Sequence, residues 1–147
     1  MYKRQGAEVL RATTLRAPAT VRKMLRLNAG DRVHEILRAR SANGELIVLE
    51  QAFLPAAIFP QMLSANLAGS LYTVMRECGA SPHSADEQIE ATQADDDQAR
   101  VLRVAPGSPL LLITRTSYTE KGVAVEFSRD HHRWDRARIR IKSRIDT

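Results

Sequence analysis

LRLNAGDRVHEILRARSANGELIVLEQAFLP, residues 25–55, reads as a helix end, a strand, a tight turn and a returning strand. Its opening, LRLNAG (Leu25–Gly30), returns as LRVAPG (Leu102–Gly107) after an interval of 77 residues, and Arg38 and Arg115 keep that interval. In the first copy, Ala7–Leu15 is a β-type segment. Pro18 then suits the first turn of a helix in which Val21, Met24, Leu25 and Leu27 share a face. Asn28–Asp31 stops it, DRVHEILRAR is a strand, Asn43-Gly44 makes a hairpin turn, and ELIVLEQAFL returns to Pro55. In the second copy, Asp95–Asp97 opens a helix, PLLLITRTSY is a strand, Thr119–Gly122 a turn and VAVEFSRDHH the return. Matching order over about thirty residues argues for an internal duplication.

Between the copies, Ser70–Cys78 reads as a helix with Leu71, Val74 and Met75 inward, ending at Gly79. SPHSADEQIEATQA, residues 81–94, reads as an extended arm crossing to the second unit. Near the end, RARIRIKSRI (136–145) alternates Arg or Lys with Ala, Ile or Ser, which predicts a strand with one solvated basic face and one buried face. Together these elements predict an α+β class: a single, mostly antiparallel sheet with flanking helices, built from two pseudo-symmetric helix-hairpin halves. The 147 residues are read as one domain, long enough for a sizeable core.

Charge is unevenly placed. Residues 1–40 hold ten Lys or Arg against three acids, residues 83–98 hold six acids and no Lys or Arg, and residues 129–144 hold seven bases against two acids. The net charge of +5 invites a nucleic-acid reading. Only seven Phe, Tyr and Trp are present, however, with no aromatic interleaving for base stacking, so direct nucleic-acid binding is not expected. Cys78 is the sole cysteine, which excludes an internal disulfide and favours a reducing, cytoplasmic setting. No apolar run reaches the ~18 residues of a membrane span.

Arg38 and Arg40 project to one face of their strand, where two guanidinium groups call for solvent or an anion. Arg115 holds the matching place in the second copy. Glu50 and Glu126 lie mid-strand among apolar neighbours, in IVLEQ and VAVEF, and need either an arginine or ligand hydroxyl or amine groups. Ser70 and Tyr72 offer hydroxyls in GSLY at a helix start, where Ser70 also serves as a cap. His34, His83, His131 and His132 lack metal-ligand spacing, so no metal or cofactor is expected. Nucleophile and phosphate-loop motifs are missing, and with them any positive sign of catalysis.

ILRARSANGELIVLEQAFLP, GSLYTVM and PLLLITRTSYTEKGVAVEFSRDHHRWDR, in this order, resemble the effector-binding (UTRA) domain of GntR-type transcription regulators of the HutC subfamily, over about residues 8–145. The resemblance implies a chorismate-lyase-like fold and a homodimer sensing a small anionic metabolite: a sugar phosphate, a phosphonate or an organic acid. It places the anionic group on Arg38, Arg40, Ser70 and Tyr72, and the rest of the ligand on Glu50 and Glu126. His132 stands where several sugar-phosphate sensors carry tyrosine, and Trp134 where a small residue is usual. His132 therefore suggests an acidic or aromatic metabolite. The family's winged-helix DNA-binding domain is not expected within 1–147, so the chain reads as an excised effector domain that reaches DNA only through that domain. The alternative implied by the fold is a chorismate-lyase-like enzyme acting on a small anion.

Overall fold

The computed structural model describes residues 6–145. Strands β1 (Gly6–Arg16), β2 (Arg32–Ala42), β3 (Glu45–Pro55), β4 (Ser84–Gln93), β5 (Pro109–Tyr118) and β6 (Ala124–Arg133) form one sheet in the order β1-β2-β3-β6-β5-β4. Every neighbouring pair is antiparallel. Three short helices accompany it: α1 (Ala19–Met24), α2 (Leu71–Glu77) and α3 (Asp96–Leu102). The α+β class follows from this single antiparallel sheet with helices packed on it.

The strand order is a palindrome about β3 and β6. Each half runs strand, helix, strand, hairpin, strand, so β1-α1-β2-β3 corresponds to β4-α3-β5-β6. Backbone geometry supports the correspondence: Arg26 (φ 55°) and Arg103 (φ 58°) both adopt the left-handed conformation, as do Gly30 (φ 87°) and Gly107 (φ 83°). The exits of α1 and α3 are also closed alike, by Leu27 N–H donating to the Arg22 carbonyl (2.9 Å) and Val104 N–H to that of Ala99 (3.0 Å). LRLNAG and LRVAPG thus encode one helix exit twice. The arm expected over residues 81–94 is in large part β4, the counterpart of β1, paired along its length with β5.

Side chains alternate across each strand, and this divides the core. On one face α1 buries Val21 and Leu25 against Val33, Phe53, Ala124 and Phe127, while α3 buries Ala99 and Leu102 against Leu49 and Leu110. A capping box fixes the start of α3: the Asp95 carboxylate accepts from Gln98 N–H and the Gln98 side chain accepts from Asp95 N–H. On the opposite face α2 and a 3-10 turn (Met62–Ser64) cover Ile36, Ala52 and Leu54 with Phe59, Met62, Leu71 and Met75. Buried His34 ties down the chain after β3. Its Nε2 lies 2.8 Å from the Phe59 carbonyl, which can only accept, so Nδ1 accepts from the Thr14 hydroxyl at 2.8 Å.

One expected strand does not form. After β6 the chain makes a 3-10 turn (Trp134–Arg136), and residues 137–145 have no strand partner. The predicted buried face is open: Ile139, Ile141 and Ile145 are 41 %, 75 % and 87 % exposed. The physical reason is topological. β3 and β5 already flank β6 on both sides, so its continuation meets no free edge within the same sheet.

Candidate functional site

α2 and the loop before it cover only part of their face, and between them and the sheet lies a cavity of about 530 Å³. β2, β3, β5 and β6 supply its polar floor. Seven of the eight residues singled out in the sequence line it: Arg38, Arg40, Glu50, Ser70, Tyr72, Arg115 and Glu126. His132 does not. It follows Glu126 and Asp130 along the same face of β6 but lies beyond the cavity lining, and burial pulls its pKa down.

Cross-strand register brings the charges together. Arg38 sits opposite Glu50 on β2 and β3, and Glu50 sits opposite Asp130 on β3 and β6. The two arginines need neither solvent nor an outside anion to relieve their repulsion, because Glu50 takes both. Arg38 Nη2 donates to Glu50 Oε1 at 2.7 Å, and Arg40 Nε to Oε2 at 3.1 Å. Arg38 is buried, and its Nη1 also donates to the carbonyls of Leu67 (3.0 Å) and Gly69 (2.7 Å). It therefore pins the loop that leads into α2. Arg40 has a side chain 34 % exposed against 6 % for Arg38, so of the pair it is the freer to meet a ligand.

Arg115, at the pseudo-symmetric position, faces the same cavity from β5. Its Nε donates to Glu87 (3.2 Å), its Nη1 to the Tyr72 hydroxyl (3.4 Å), and its Nη2 lies 4.0 Å from Asp130. Ser70 caps α2, its Oγ accepting from Thr73 N–H at 3.4 Å. Glu126 is buried, accepts from the Ser117 hydroxyl at 3.1 Å, and has its pKa raised by burial against the opposing pull of Arg115.

Sequence reasoning missed two floor residues, Ser128 and Asp130. Ser128 Oγ is buried without a hydrogen-bond partner, the only such side-chain atom among the described residues. Asp130 has its pKa pushed up to about 7, chiefly by burial and then by the neighbouring Glu50. The signal was present in EFSRD: once Glu126 points into a site, period two sends Ser128 and Asp130 there too. Three arginines, three carboxyl groups and an unpaired hydroxyl thus converge on one cleft. Such a set can hold an anion at one end and hydrogen-bonding groups at the other. Among the described residues no cluster of His, Cys, Asp or Glu has the makings of a metal site.

The fold and cleft define a small-molecule-binding α+β domain. Residues 1–138 match the UTRA domain, and the chain belongs to that family, the ligand-sensing effector domain of GntR-type transcription regulators. The structure resembles the ligand-binding domain of a protein assigned to the GntR regulators from Bordetella bronchiseptica, with TM-score 0.89 and 33 % identity over 98 % of this chain and 91 % of that one. In sequence it is 30 % identical over 105 residues to the transcriptional repressor NagR of Bacillus subtilis, covering 71 % of this chain and 43 % of NagR. It is 28 % identical over 123 residues to the repressor PhnF of Mycolicibacterium smegmatis, covering 83 % of this chain and 50 % of PhnF. The chain therefore spans about half the length of these curated relatives. No helix among the described residues is long and apolar enough to cross a membrane.

Proposed function

We propose that residues 1–147 form a single effector domain that senses a small anionic metabolite: a sugar phosphate, a phosphonate or an organic acid. Arg40 and Arg115 are its anion-facing groups, Arg38 with Ser70 and Tyr72 shapes the entrance, and Glu50, Glu126, Ser128 and Asp130 meet the ligand's remaining polar groups. The observation that carries this reading is the convergence of three guanidinium groups and a buried, unpaired Ser128 hydroxyl on one cavity. An unpaired buried hydroxyl is unfavourable by roughly 1–3 kcal/mol, and a ligand oxygen or nitrogen would relieve it.

In this proposal the domain makes and breaks no bonds. It works as a cytoplasmic homodimer, and a ligand bound better by one dimer arrangement shifts the attached DNA-binding domains. DNA contact belongs to a separate winged-helix domain, of the kind that makes the relatives HTH-type regulators. The test is thermal denaturation with a panel of sugar phosphates, phosphonates, organic acids and chorismate. A ligand at a hundredfold excess over its Kd stabilises by about 2.7 kcal/mol. We predict an anionic hit whose effect falls away in Arg40→Ala. Turnover of chorismate would overturn the non-catalytic reading.

A further inference from the structure

The segment left without a partner after β6 and the exposed strand at the far edge of the sheet are complementary in three respects. The first is backbone. Residues 137–145 pair with no strand among the described residues, and β4 is an edge strand whose outer N–H and C=O groups likewise pair with none. Open edges of this kind take up further strands, and burial-driven pairing needs a partner for each.

The second is charge. Arg136, Arg138, Arg140, Lys142 and Arg144 occupy alternate places in the segment, with no acid among residues 136–145. β4 carries Asp86, Glu87 and Glu90 and no base.

The third is facial pattern. On β4, Asp86 and Glu90 point to one face with Ser84, Gln88 and Thr92, while Ala85, Glu87, Ile89 and Ala91 point to the other, where Glu87 is paired with Arg115. Ile89 is 42 % exposed, and its neighbours Leu111 and Ile113 on β5 are only half-buried. No helix covers this apolar strip, since α2 packs at Ile36, Ala52 and Leu54. An antiparallel strand laid beside β4 with Ile141 opposite Ile89 and Ile139 opposite Ala91 would put Arg140 opposite Glu90, Arg144 opposite Asp86 and Ser143 opposite Glu87. A slip of one residue would invert both matches, so the pattern fixes which face of the added strand turns to each face of the sheet.

We propose that residues 137–145 add as a seventh strand to the β4 edge of a second copy of this chain, in a reciprocal exchange that forms the dimer. The inference rests on the homodimer reading above and deepens it by assigning its surface. A two-fold exchange uses each segment and each edge once and leaves neither open.

Analytical ultracentrifugation of the full chain at micromolar concentration tests it, in a Cys78→Ser background because Cys78 is exposed and free. The wild-type chain sediments as a dimer. Ile139→Asp with Ile141→Asp raises the dimer dissociation constant by roughly a hundredfold, as expected for losing a strand's side-chain matches. Asp86→Arg with Glu90→Arg weakens the dimer, as does Arg140→Glu with Arg144→Glu, and combining the two charge reversals restores it. Unchanged circular dichroism shows that the monomeric variants remain folded, because none of the substituted residues belongs to the buried core. A dimer indifferent to all these changes overturns the strand exchange and leaves the homodimer standing. A wild-type monomer overturns both. Calorimetric anion titration of the same variants reports on the cavity separately.

Discussion

Replacing Asp130 by Asn probes the electrostatics of the cavity floor directly. Asp130 is 7 % exposed, faces Glu50 across β3 and β6, and has Arg115 no nearer than 4.0 Å. Burial and the Glu50 charge raise its pKa from 3.8 to about 7. Between those values the folded chain holds a proton that the unfolded chain has released. Stability therefore falls as pH rises through this window, and the penalty is complete above pH 7. At about 1.4 kcal/mol per pH unit, the rise corresponds to a ceiling of roughly 4 kcal/mol. Sharing of the charge with Glu50 and Glu126 brings the expected effect to about half that. Asn is neutral throughout, so Asp130→Asn should match the wild type near pH 4 and melt about 5 °C higher at pH 8, at roughly 2–4 °C per kcal/mol for a chain of this size. Differential scanning calorimetry in matched buffers, without ligand, reads the difference. A variant-to-wild-type gap that is the same at pH 4 and pH 8 would refute the reasoning, and so would a gap of opposite sign.

Two further substitutions separate scaffold from site. Arg38→Ala removes one of two partners of Glu50 and strips the Leu67 and Gly69 carbonyls of their donor, so urea titration should show a loss of about 3 kcal/mol. Stability within about 0.5 kcal/mol of wild type would mean that Arg38 does not hold the α2 loop. Gly107→Ala places a side chain at φ 83° with no atom within 4 Å of the new Cβ, so strain alone acts. The expected loss is about 1 kcal/mol, seen as a melting point roughly 3 °C lower. A larger loss would show that the second helix exit is closed by more than backbone conformation.

The fold was legible because two periodicities and one repeat agreed. The apolar spacing at Val21 and Leu25, the Asn43-Gly44 turn and the return of LRLNAG as LRVAPG each correspond to an observed element. Period two also predicted that Arg38 and Arg40 share a face, and the register of β2 against β3 then set Glu50 opposite Arg38. What the sequence could not convey was partner choice. Alternation in RARIRIKSRI says that the segment favours a strand, but a strand exists only where an edge is free, and β6 has none to offer. The acidic run at residues 84–93 was harder still, because an exposed edge strand buries so little that its pattern resembles a loop. In the site, Ser128 and Asp130 were legible by period two from Glu126 but were overlooked, while their placement opposite Ala52 and Glu50 depends on how the two halves meet. The division of labour between Arg38 and Arg40 likewise depends on a carbonyl loop about thirty residues away.

The central claim is that this cleft binds a small anion through Arg40 and Arg115. Isothermal titration of the strongest anionic hit into the wild-type chain, Arg40→Ala and Arg115→Ala tests it most directly. The account predicts one site per chain, with affinity lowered roughly tenfold to hundredfold in each variant, the size of a lost charge-assisted hydrogen bond. Binding unchanged in both variants would contradict it, as would an absence of heat from every anion of the panel.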